Sequence, residues 1–231
     1  SVPMNIFSMR VDVKLFERLR KHTKKLHKPS LDEEVAEKIV RALAEAKSPV
    51  VYAGGGVILA DAAKELKEFV SHLALPVAHS LMGKGVLPDD HPLTLGMTGF
   101  WGTKFINDKC RNADYVLAVG TRFAEADCSS WENEYTFSFP PTRLIHIDID
   151  SNEIGRNYPV EIGVVTDLKQ ALTVLLRVAK RLYSSGRKNE KLVNEIAAYR
   201  KGFRQANDEY VNSAAYPMRP ERILAAVREV L

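Results

Sequence analysis

The residues best suited by type and spacing to do chemistry are glycines and polar groups that close short apolar runs. Gly54-Gly55-Gly56 follows VVYA directly and precedes a helical pattern. Glycines there let backbone approach a ligand closely, and a helix start favours phosphate. A tight strand-to-helix turn without ligand explains the triplet as well, since it is neither GxGxxG nor a Walker loop. Ser80-Leu81-Met82-Gly83-Lys84-Gly85 closes a second run, Gly96-Met97-Thr98-Gly99 a third and Gly120-Thr121-Arg122-Phe123 a fourth. Arg122 suits an anion or a structural ion pair equally. In His146-Ile147-Asp148-Ile149-Asp150, an acid at a strand end can accept ribose or adenine hydrogen bonds. Asp150 has a competing role as a helix cap before 152–155, and Asp167 has the same competing role after GVVT. Singly these signals are weak. Together they outline a nucleotide-shaped crevice at the carboxyl ends of strands, where open α/β sheets bind ligands.

No catalytic constellation accompanies them. GxSxG and HExxH are absent, and the six histidines show no ligand spacing. His146, in an apolar run, reads as a satisfied core residue. No catalytic and no metal-binding residue is assigned. Trp131, Tyr135, Phe137 and Phe139 read as packing or interface residues rather than a stacking platform.

The elements that must carry these groups alternate in period. Short β-branched runs at 50–54, 76–80, 92–96, 115–120, 143–150 and 163–167 are separated by helical patterns. These include helices over 59–73, around 105–111 and over 168–182. Before the first strand, Ser30 and Glu33 suggest a capping box opening a helix with Val35, Ile39, Leu43 and Ala46 on one face. Residues 1–10 read as extended, 11–28 as a charged connector, and 187–212 as a polar helix after a linker. The last eleven residues open another amphipathic helix, as if the chain were an excised piece. Strands alternating with helices predict an α/β, doubly wound, mainly parallel six-stranded sheet with helices on both faces.

Composition agrees. A chain of 231 residues with 45% hydrophobic content can bury a real core. No apolar run reaches the ~18 residues needed to cross a bilayer. The start does not read as a signal peptide. Cys110 and Cys128 form no CxxC pair, so a reducing cytoplasm is the expected setting. Of the net +4, residues 1–30 hold +6 and the remainder −2. That basic end lacks interleaved aromatics and reads as a solvated connector rather than a nucleic-acid surface.

The ordered set VVYAGGGV, SLMGKGVLPDDHPLTLGMTG, ADYVLAVGTRF and RLIHIDIDSNEIGRNYPVEIGVVTD resembles the central domain of acetolactate synthase catalytic subunits and related thiamine-diphosphate-dependent enzymes. The match runs over 32–183. VPMNIF is similar to the end of the family's preceding pyrimidine-binding domain, and RPERILAAVREVL to the opening of its following diphosphate-binding domain. The resemblance implies three regions: a linker over 1–30, the central domain over 31–183, and a helical connector with the start of the next domain over 184–231.

In that family the central domain often holds FAD or another ADP-containing nucleotide and completes an oligomer. Thiamine diphosphate and magnesium are bound by the other two domains. Carried over, Gly54–Gly56, Ser80–Met82, Gly96–Gly99, Gly120–Arg122, Asp148, Ile149 and Asp167 would line the nucleotide pocket. The resemblance implies other domains of a parent chain and a homo-oligomer as partners, with no nucleic acid and no membrane. Two positions depart from the acetolactate synthases: Thr98 replaces the His of GMHG, and Ala124-Glu125-Ala126 replaces the DDR of RFDDR. The likeness is therefore to the superfamily more than to one reaction. A nucleotide-binding or purely structural scaffold without a thiamine partner is the rival reading.

Overall fold

The computed structural model describes residues 3–20 and 27–230. Positions 21–26 of the expected connector lie outside the described residues. The elements in chain order are α1 (Met4–Phe7), α2 (Val13–Arg20), α3 (Glu33–Glu45), β1 (Pro49–Ala53), α4 (Gly56–Leu59), α5 (Ala63–Leu73), β2 (Val77–His79) and β3 (Thr94–Met97). Then come α6 (Lys104–Arg111), β4 (Tyr115–Val119), α7 (Glu125–Cys128), β5 (Arg143–Asp148), β6 (Ile162–Val165), α8 (Leu168–Leu182), α9 (Glu190–Ala206), α10 (Asp208–Val211) and α11 (Pro220–Val230). Among the described residues no helix is long and apolar enough to cross a membrane.

The six strands form one sheet in the order β3-β2-β1-β4-β5-β6, and every pairing is parallel. Parallel strands need crossovers, and the helices supply them. The chain winds outward from β1 to β3, returns to the centre at β4, and winds outward the other way. The order reverses between β1 and β4, so a crevice forms above their carboxyl ends.

Strand residues alternate between two cores, as a pleat requires. Val51, Ala53, Leu117, Val119, Ile145 and Ile147 point to one face. There α3, α5 and α8 bury Ile39, Leu43, Leu66, Phe69, Leu172 and Leu175 against them. Val50, Tyr52, Val116, Ala118 and Leu144 point to the other face. That face is covered by Ile106 and Cys110 of α6, by Phe123, Phe137, Phe139 and Tyr158, and by Ile196 of α9. Phe105 stacks on Tyr199 of α9 at 4.1 Å between ring centroids, so α9 is packed against the body of the sheet.

Several local expectations change. Within the VPMNIF segment, Met4–Phe7 form a single helical turn with exposed side chains, not a strand. It pairs with no strand edge, and a short apolar run does not distinguish the two states by itself. Asp32, not Ser30, caps α3, accepting from the amides of Glu34 at 2.9 Å and Val35 at 3.1 Å. The helix begins one residue after Asp32, which leaves Ser30 too far out to reach its amides. Asp150 caps no helix; residues 151–155 are turns, and its carboxylate accepts from the Asn152 amide as an Asx turn. The helix expected over 59–73 is interrupted at 60–62, with Asp61 at a positive φ of 51°.

Candidate functional site

At the switch point the loops after β1 and β4 touch through their backbones. The Gly54 amide donates to Val119 O at 2.9 Å and the Gly56 amide to Gly120 O at 3.0 Å. A Cβ on Gly54 would lie 2.1 Å from Gly120 O, and one on Gly56 2.7 Å from Gly120 Cα. Gly120 itself has φ +58°, a left-handed conformation. The contact between these loops thus accounts for three of the glycines without a ligand. The Gly55 amide has no such partner among the described residues. Its missing side chain faces the loop after β2, where a Cβ would meet Met82 Cβ at 3.0 Å.

The loop after β2 starts at Ser80, whose Oγ accepts from the Gly83 amide at 3.0 Å and closes a single turn over Leu81–Gly83. Leu81 and Met82 project into solvent at 47% and 73% exposure. After β3, Gly96 (φ +125°) and Gly99 (φ +73°) carry left-handed backbone around Met97 and buried Thr98. A Cβ on Gly99 would sit 2.2 Å from Ala126 O.

The residue that joins these loops was not among the sequence candidates. Asp127, in α7, accepts from the Leu81 amide at 2.9 Å through its carboxylate and from Thr98 Oγ1 at 2.9 Å through its carbonyl. It ties the loops after β2, β3 and β4 together. Only its position after the GTRF segment points to it, because α7 is a four-residue helix with no periodic pattern to read.

After β4, Thr121 O is bonded to His146 Nε2 at 2.8 Å. His146 is buried, and burial pulls its pKa below the ordinary histidine value, against the raising effect of that hydrogen bond. A neutral ring donates its Nε2 hydrogen here and fixes the turn that presents Arg122. Arg122 is exposed and has no carboxylate partner among the described residues. After β5, Asp148 Oδ1 accepts from the Asp150 amide at 2.9 Å, and Ile149 is 61% exposed.

Asp167 lies one strand further out, after β6, and its carboxylate is already engaged. It caps α8 by accepting from the Gln170 amide at 3.1 Å, and it pairs with Lys28 at 2.8 Å. Burial raises its pKa, but Lys28 and the Gln170 amide outweigh that and hold it below the usual carboxylate range. The structure therefore brings the triplet, Ser80–Met82, Thr98, Gly99 and Gly120–Arg122 around one crevice, with Asp148 and Ile149 at its edge.

Beneath the crevice, Tyr52 is fully buried, and its hydroxyl has no hydrogen-bond partner among the described residues. Burial, then the neighbouring Cys128, push its pKa well up. The Cys128 thiol is pushed up to about 12 by burial, so it is a packed thiol and no nucleophile. Cys110 and Cys128 are both free. Among the described residues no three His, Cys, Asp or Glu side chains are grouped to hold a metal. A cavity of about 480 Å³ lies elsewhere, at the amino ends of β1 and β2.

This fold, with glycine turns meeting at a switch point, defines a doubly wound nucleotide-fold domain. Residues 36–175 match the central domain of thiamine pyrophosphate enzymes. The chain belongs to that family. It is 41% identical over 139 residues to a probable acetolactate synthase large subunit of Methanocaldococcus jannaschii, covering 60% of this chain and 23% of the relative. It is 40% identical over 163 residues to a glyoxylate carboligase of Escherichia coli O157:H7, covering 70% of this chain and 27% of the relative. It is 31% identical over 197 residues to a probable acetolactate synthase large subunit of Methanococcus aeolicus, covering 84% and 32%. The matched regions span 23% to 32% of these three relatives' lengths.

Proposed function

We propose that this chain is the central domain of a thiamine-diphosphate-dependent carboligase or decarboxylase acting on 2-oxo acids. In this reading it seats FAD or an ADP-containing nucleotide and supports assembly of a homo-oligomer. The observation that carries the nucleotide assignment is at the switch point: the unengaged Gly55 amide and the unpaired Arg122 guanidinium both lie on the loops that meet there. A donor and a cation on loops at strand ends suit a diphosphate, with the adenosine extending toward Asp148. Asp167 contributes as the cap of α8 rather than as a ligand contact.

Thiamine diphosphate, when bound with magnesium, supplies the stabilised carbanion of such reactions. The chain contains no Gly-Asp-Gly sequence of the kind that holds the diphosphate and metal. Nothing in it is assigned a catalytic step. Its own residues bind, position and assemble, and the isolated 231-residue chain is expected to release no carbon dioxide from pyruvate.

A purely structural reading is favoured by the close packing of Gly54, Gly56 and Gly120, which explains those residues without a nucleotide. Calorimetric titration of FAD and of ADP separates the two. The nucleotide reading expects saturable heat with the chain and its loss in both Gly55→Asp and Arg122→Ala. No heat, or unchanged curves in both variants, supports the scaffold.

A further inference from the structure

The cavity at the amino ends of the strands lies at the opposite end of the sheet from the loops proposed to seat a nucleotide. Its floor is apolar: Pro49 and Val50 of β1, Pro76 before β2, Phe105 of α6 and Leu192 of α9. At about 480 Å³ it falls within the volumes typical of small-molecule sites. Its walls are held in place by contacts independent of any ligand. Ile196 of α9 is fully buried, Phe105 stacks on Tyr199, and Lys109 pairs with Glu195 at 2.7 Å. Arg200 of α9 donates to the carbonyls of Asp90, His91 and Thr94. The cavity is therefore preformed.

Its polar inventory is one-sided. Three of the acids at or beside it are engaged, and Glu190, between Asn189 and Lys191 in sequence, is exposed. Asp114 accepts from the amides of Lys47 and Ser48, Asp108 is bonded by Lys104 and Arg111, and Glu195 by Lys109. The donors are not. Lys47, Lys191 and Asn112 line the cavity, and their side chains have no protein acceptor among the described residues. Asn189 uses its oxygen to cap α9 at 3.1 Å from the Leu192 amide, which leaves its NH2 free. An apolar floor rimmed by unused donors and two lysines is complementary to an anion with a hydrophobic body.

We propose that this cavity is a second small-molecule site, distinct from the proposed nucleotide crevice, that takes a small amphipathic carboxylate. The carboxylate meets Lys47, Lys191 and the two asparagine amides, and the apolar body lies on Pro49, Pro76 and Phe105. The proposal does not depend on the crevice binding a nucleotide.

The test uses the 231-residue chain labelled with nitrogen-15 and naphthalene-2-carboxylate as the probe, with naphthalene-2-carboxamide as its uncharged control. The acid is expected to shift the Asn112, Asn189 and Leu192 resonances saturably, with a dissociation constant of about 1 mM or tighter. The amide is expected to bind about tenfold more weakly, as is the acid to Lys47→Gln/Lys191→Gln. Both lysines are exposed, so the folded spectrum should persist, and Lys47→Arg/Lys191→Arg should keep the affinity. The site is refuted by any of three results. These are no saturable shift, equal binding of acid and amide, or shifts confined to Met82, Phe100 and their neighbours at the carboxyl edge.

Discussion

Asp127 Oδ1 accepts the Leu81 amide at 2.9 Å, although 46 positions separate the two in sequence and β1 lies between their strands. The bond reaches across the carboxyl edge and fixes the loop after β2 against α7. Hydrogen bonds to charged acceptors contribute more than neutral ones when shielded from water. Asp127→Ala is expected to lower stability by about 1–2 kcal/mol and to speed exchange of the Leu81 amide. Asp127→Asn, which keeps an acceptor oxygen, should lose less than half as much. Urea titrations that superimpose on wild type for both variants would show that the bridge makes no net contribution.

The glycine contact at the switch point makes a sharper claim. Gly120→Ala puts a Cβ 2.8 Å from Gly56 Cα and forces an L residue to φ +58°. Gly155→Ala imposes a similar conformation, φ +76°, but its nearest contact is 4.0 Å away. Left-handed strain costs roughly 1–2 kcal/mol in both, and overpacking adds roughly 1–3 kcal/mol to Gly120→Ala alone. Denaturation midpoints for the two variants should differ accordingly. Equal losses would mean that the two loops slide apart easily.

Sequence reading reaches those features whose cause is local. The α8 limits, Leu168 to Leu182, match the periodic pattern and its Asp167 cap. The strands fall within about two residues of the apolar runs because β-branched stretches bounded by glycine or proline leave few alternatives. Long-range causes are not legible in this way. That Gly54 and Gly56 are required by Gly120 depends on β1 and β4 being neighbours, which no local pattern states. The role of Asp127 depends on a partner two strands away. The donors of the amino-end cavity come from segments as distant as Lys47 and Lys191, brought together only when α9 packs on Phe105.

His146 gives a pH dependence with a definite sign. Burial depresses its pKa below the ordinary value of about 6.5, and His79 is depressed for the same first reason. Protons therefore bind the unfolded chain more readily than the folded one. The stability from the neutral, buried rings is fully present above about pH 6.5 and is lost as the pH falls below that toward the depressed folded values. His146→Gln keeps a donor toward Thr121 O without titrating. It is expected to show a shallower loss between about pH 6.5 and 5 than wild type in urea melts. An unchanged slope would mean that His146 is not protonated on unfolding in that range.

The aromatic segment between β4 and β5 divides in two. Phe137 is fully buried and Phe139 is 4% exposed, both packed with Phe123 and Tyr158 over the second face of the sheet. Trp131 is 43% and Tyr135 50% exposed, and Trp131 Nε1 donates to Phe123 O at 2.7 Å. The inner pair follows the core reading, and only the outer pair is available for a contact between chains. Phe137→Ser should therefore destabilise by about 3–5 kcal/mol, as large-to-small core changes do. Trp131→Ala removes one hydrogen bond and a partly exposed ring, so about 1 kcal/mol is expected. A test of self-association must then use the outer residues alone. If this segment supports assembly, light scattering should show a dimer for the wild type and a folded monomer for Trp131→Ala/Tyr135→Ser. A wild type that stays monomeric at high concentration, or a variant that dimerises as well as wild type, places the assembly surface elsewhere.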